Sequence, residues 1–92
     1  MINAQKSVTA TASLACVGTA NLANRKILII RNIGVENVYY GYSAADAASD
    51  KGQLLAAYES RAWMYDVLDG VPPAVYVACA TGKTSTIAVE EG

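Results

Sequence analysis

Histidine is absent from this 92-residue chain, and so is phenylalanine. Without histidine, the Ser–His and Cys–His pairs that activate most side-chain nucleophiles cannot be assembled. The two cysteines, Cys16 and Cys79, lie far apart and cannot supply the four ligands of a His/Cys metal site. Charge is scarce as well: charged residues make up 16% of the chain, against about 25% in ordinary soluble domains. The net charge is −1 and no run of one sign exists, so the electrostatic footprint of a nucleic-acid binder is missing. No apolar stretch approaches the length that crosses a bilayer, and no basic amphipathic helix is present to lie on one. The expectations are no catalytic residue, no metal, no cofactor, no nucleic acid and no membrane.

Three stretches imitate functional motifs, and each fails on its residues. "ATGKTST" (80–86) carries the end of a phosphate-binding loop, but the required earlier glycine is replaced by Val77. The adjoining "STIAVEEG" alternates like a strand instead of opening the helix whose amides would face phosphate. "DAASD" (46–50) offers too few oxygen ligands for calcium, because Ala47 and Ala48 contribute only carbonyls. A paired-carboxylate mechanism would have to draw on Asp46, Asp50, Glu59, Asp66 and Asp69, but these sit mostly at turn positions, where carboxylates bond locally to backbone. At the N-terminus, "MINAQKSVTATASLACVG" has a Thr- and Ser-rich middle where an export signal needs an apolar block. Ser13, three residues before Cys16, does not suit a lipoprotein cleavage site. The chain is therefore expected to stay in a reducing compartment until something releases it. There its cysteines are read as small buried hydrophobes in preference to a disulfide.

What the sequence does hold is β-pattern. Turn signals recur at short intervals, and no segment supports a helix longer than a turn. Strands are expected at Ser7–Cys16, Lys26–Asn32, Val38–Tyr42, Gln53–Leu55, Arg61–Leu68, Val75–Ala80 and Ser85–Glu90, the last two as a hairpin around Gly82-Lys83. "SAADAASDKG" (43–52) reads as a long polar and alanine-rich loop, and "DGVPP" (69–73) as a breaker. The fold class is all-β: a small antiparallel β-sandwich or jelly-roll-like barrel of six to seven short strands. Residues 1–92 make one domain, with 1–6 either folding with it or extending as an arm.

"RKILIIRNIGVENVYYGYS" (25–43) then poses a problem. A half-buried strand alternates apolar and polar side chains, yet Ile27, Leu28, Ile29 and Ile30 run unbroken and Tyr39, Tyr40 and Tyr42 cluster after the turn. The core of so short a chain is thin, which leaves two readings: central strands covered by loops, or a subunit interface. The 43–52 loop is able to give only part of the cover, and the interface is favoured. Aromatic side chains left outside a core suit interfaces, since each combines large contact area with a polar tip. The residues expected at subunit contacts are Tyr39, Tyr40, Tyr42, Trp63 and Tyr65, with Ile27 and Ile29 behind them.

The order "RKILIIRNIGVENVYYGYS", "KGQLLAAYES", "DGVPPAVYVACATGKTSTIAVEE" resembles small virion-associated β-sandwich proteins of tailed bacteriophages over roughly residues 24–90. The chain departs from that pattern at Tyr58, which stands where a turn glycine is expected, and at the heavier Pro72-Pro73. The resemblance implies a non-enzymatic structural protein, made in the host cytoplasm and located in the virion. It would be a capsid decoration or a head-fibre or accessory component. It would form a homo-oligomer, with a trimer favoured, docked on the major capsid protein or another virion protein. The alternative from a different class is a glycan-binding host-attachment module, with the tyrosines and Trp63 as a stacking platform. A third is a small cellular β-domain for protein contact.

Overall fold

A computed structural model describes residues 1–64 and 74–92. Eight strands are seen: β1 (Ile2–Val8), β2 (Ser13–Leu14), β3 (Ile27–Asn32), β4 (Val38–Gly41), β5 (Gln53–Leu55), β6 (Ser60–Met64), β7 (Tyr76–Ala78) and β8 (Ser85–Glu91). They form two four-stranded antiparallel sheets, ordered β1-β8-β3-β6 and β2-β7-β4-β5. The all-β sandwich expected from the sequence is therefore present. Its order has a simple origin. Strands β1 and β8, β2 and β7, β3 and β6, β4 and β5 pair as the two arms of one long hairpin. Rolling that hairpin over adds the β3–β8 and β4–β7 ladders. This is the jelly-roll wrap, eight strands in two packed sheets.

The wrap explains where sequence reading and structure differ. Ser7–Cys16 is two strands, because after Val8 the chain leaves the first sheet and enters the second at Ser13. The Thr9 side chain accepts the Thr11 amide, and the Thr9 carbonyl accepts Cys79 N–H at 2.8 Å, which fixes the corner. Residues 2–8 are paired along their length with β8 instead of extending as an arm. β7 and β8 do not form a hairpin; they lie in different sheets, and the turn between them is a crossover. Gly82 holds a φ of +78° there, a value that suits glycine at a tight turn, and Lys83 N–H closes the turn on the Ala80 carbonyl. The expected strand Arg61–Leu68 is seen to Met64, and its remainder and "DGVPP" fall outside the described residues.

Between the sheets lies an aliphatic core whose largest members are Leu28, Ile30, Leu55 and Ile87, with valines from five further positions. Tyr40 and Trp63 pack against this core from its edge. Cys16 and Cys79 are both free and buried, acting as small hydrophobes. Burial, then the nearby Glu36 charge, push the Cys79 thiol up, against a smaller opposite pull from the Ser85 backbone. It is thereby a poor nucleophile.

Two polar knots sit inside the apolar layer. Asn32 is fully buried at the end of β3, and every hydrogen-bonding position of its amide is used. Its Nδ2 donates to the carbonyls of Glu36 (2.7 Å) and Leu55 (3.0 Å). Its Oδ1 accepts Gly34 N–H (3.1 Å) and Ser85 Oγ–H (2.8 Å). One side chain thus ties the β3–β4 turn to β5 and β8. At the opposite end, the Glu91 carboxylate accepts Val17 N–H (2.6 Å), Leu22 N–H (2.9 Å) and Arg25 Nη1 (2.9 Å). The pair organises the long β2–β3 connection, where the Val17 and Leu22 amides find their acceptor in a side chain.

Candidate interaction surface

In β3, Leu28, Ile30 and Asn32 face the core, so Ile27, Ile29 and Arg31 face outward. The ladders set their neighbours. Ile29 lies between Ala62 of β6 and Glu90 of β8, Ile27 lies beside Met64, and Arg31 lies between Ser60 and Ala88. The outer face of the first sheet therefore carries an apolar strip of Ile27, Ile29, Ala62 and Met64. Arg31 and Glu90 border it. Ile27 and Ile29 are half-buried, while Met64 is 77% exposed. Among the described residues, no strand or turn is hydrogen-bonded across this face.

The tyrosine strand is treated differently. Gly41 is buried because the 43–52 loop folds back over it: a β-carbon there would meet the Asp46 carbonyl carbon and oxygen at 2.6 Å. Ala47 is fully buried beneath that crossing. The loop is held by short turns, with Ala47 N–H bonded to the Ser43 carbonyl and Gly52 N–H to that of Ala48. Its end at Gly52 lies against the Tyr39 side chain. The second face of β4 is thus covered from within the chain.

The aromatic residues gather at the β6 edge. Trp63 stands opposite Leu28 and Tyr40 opposite Val77, so both turn inward, one from each sheet. Their rings meet edge to face, with centroids 5.3 Å apart and planes at 87°. Such a pair contributes about 0.5–1.5 kcal/mol beyond its buried area. Trp63 Nε1–H donates to Tyr42 Oη at 3.1 Å, and Tyr42 remains 56% exposed.

The seven residues expected at subunit contacts therefore divide among separate places. Tyr40, Tyr42 and Trp63 come together where the two sheets meet. Ile27 and Ile29 lie on the outer face of the first sheet, and Tyr39 on that of the second, beside the loop. Tyr65 lies outside the described residues. As a sugar platform the cluster offers mainly Tyr42, because the Tyr40–Trp63 contact already occupies one ring face.

The buried acid Glu91 has no counterpart in the sequence reading. Burial alone would raise its carboxyl; the amides of Val17 and Leu22 and the Arg25 guanidinium outweigh that and hold it below the usual carboxylate range. A carboxylate kept ionised by three donors anchors the structure around it. The signal was in β8: Ile87 and Val89 face the core, and the same alternation puts Glu91 there. Tyr58 was visible as a departure from the resemblance, and it does carry a positive φ of 65°. Met64 had no aromatic or charge signal to single it out.

Scans of protein-family models, curated proteins and solved structures each give no match to this chain.

Proposed function

We propose that this chain is a non-enzymatic structural protein of a bacteriophage particle, a capsid decoration or a head-fibre or accessory component. It works as a homo-oligomer docked on another virion protein. The observation that carries the structural role is the apolar strip Ile27–Ile29–Ala62–Met64 on a sheet otherwise rimmed by polar and charged residues. A repeated patch of this kind is buried economically when copies assemble about a symmetry axis. The jelly-roll wrap supports the reading at the level of fold, since viral capsid domains use it, and that support is by analogy. The virion setting rests on the resemblance of the strand and turn order. Mass spectrometry of purified particles tests it: the chain should be present in fixed proportion to the major capsid protein. Its absence from particles would leave the cellular contact domain in its place.

A glycan-binding role has one observation in its favour, the exposed Tyr42 bonded to Trp63 on a fold that lectins also use. Trp63 is the only tryptophan. Its fluorescence should therefore shift on titration with host surface polysaccharide if that reading holds, and stay unchanged if the aromatics serve only packing.

A further inference from the structure

The edge strand β1 has a property that the apolar strip does not share, and it is independent of the virion reading. Gly92 and Ile27 exchange both backbone hydrogen bonds, at 3.1 and 3.0 Å, and the Thr86 carbonyl accepts Ile33 N–H. Even-numbered residues of β8 therefore direct their backbone groups to β3, and odd-numbered ones to β1. The β1–β8 register pairs Ile2 with Glu91, Ala4 with Val89 and Lys6 with Ile87. Asn3, Gln5 and Ser7 accordingly direct their N–H and C=O groups away from β8, out of the sheet. Among the described residues no strand pairs with that side.

Exposed edges are ordinarily guarded by shortness, charge, proline or a bulge. β2 and β5 are only two and three residues long. β6 runs directly into residues outside those described. β1 has seven residues, an unbroken ladder, no proline, and neutral side chains at all three outward positions. Its one charge, Lys6, is turned in, and its ammonium donates to the Gly18 carbonyl at 2.6 Å.

We infer that β1 pairs antiparallel with β1 of a second copy about a two-fold axis through Gln5, joining the two first sheets into one continuous sheet. The sequence is complementary to itself in that register. Asn3 stands opposite Ser7 of the second copy, and Gln5 opposite Gln5. On the other face Ile2 meets Val8, and Lys6 meets Ala4 and never another Lys6. About six main-chain hydrogen bonds form, and no like charges oppose. Such a contact is isologous and closes at two copies. Combined with association through the apolar strip it builds larger assemblies.

Cysteine scanning of the full chain tests both the pairing and its register. In this geometry two Gln5 Cα atoms lie about 5.5 Å apart. Two Asn3 Cα atoms lie about 14 Å apart, four residues of strand rise. A short bifunctional thiol reagent should therefore double the mass of Gln5→Cys. It should leave Asn3→Cys and Ser7→Cys unlinked when each is alone, and link the two when mixed. Cys16 and Cys79 are buried and provide the unlinked background. No link at Gln5→Cys, or equal linking at all three positions, overturns the inference. A second variant guards against misreading: Gln5→Pro removes an N–H that no partner within the described chain uses. It should fold normally yet lose whatever part of the assembly depends on β1; an unchanged mass also overturns the inference. Association through the strip alone would appear as an oligomer that survives Gln5→Pro, so the two interfaces fail separately.

Discussion

Replacing Glu91 by glutamine keeps the shape of the side chain and removes its charge. In the native protein the Glu91 and Arg25 side chains are 1% and 2% exposed and meet at 2.9 Å. The substitution takes the carboxylate from a buried guanidinium. It also sets an amide N–H₂ against the Val17 or Leu22 donor. Removing one member of a buried ion pair typically costs about 3–5 kcal/mol. A chain of this size has roughly 5–14 kcal/mol in total, so the loss is a large share. At about 4–8 °C per kcal/mol, Tm should fall by at least about 12 °C. The pH profile carries the same signature. Because the folded Glu91 carboxyl is held below its unfolded value of about 4.3, its contribution is complete above that value. It is lost as pH falls through the folded value. Chemical denaturation of wild type and Glu91→Gln from pH 7 downward should show the two curves converging in acid. A Glu91→Gln cost below about 1 kcal/mol at pH 7, or a gap that does not narrow in acid, would refute the reasoning.

Asn32→Leu fits an apolar neighbourhood but strands the Gly34 amide, the Ser85 hydroxyl and two carbonyls; a loss of about 3 kcal/mol or more in urea unfolding is expected. Gly41→Ala drives a β-carbon into the Asp46 backbone and should cost about 1–3 kcal/mol, with faster hydrogen exchange at Ala47 than in wild type. Tyr58→Gly should raise stability by about 1 kcal/mol by relieving the left-handed backbone, whereas Tyr58→Val should lower it; both are read from thermal melts.

How much of this was legible in the sequence depended on whether a signal was local. The limits of β3, β4 and β5 could be read closely, because the turn residues at 33–37 and the loop at 43–52 bracket them. The corner at 9–12 could not. Val8 and Cys16 both end up buried, so their apolar-polar alternation runs on through a change of sheet. For the same reason a crossover at Gly82 looked like a hairpin: turn chemistry fixes the local backbone and does not say which sheet receives the next strand. Among the candidate residues, the surplus of Ile27 and Ile29 on an outer face was readable from the unbroken apolar run. The destination of Tyr40 and Trp63 was not. They meet across the two sheets, a contact between residues far apart in the chain that only the wrap creates. Glu91 was hidden by its type, since a terminal acid reads as a solvated strand end until its three donors are in place.

The central claim is that the surplus apolar surface of this jelly roll is covered by other copies of the chain. It is tested most directly by absolute mass from light scattering on the full chain over a dilution series. The account predicts a mass that is a whole-number multiple of the single chain and persists on dilution, reduced by Ile29→Asp in the strip. A mass equal to one chain at every concentration would contradict it.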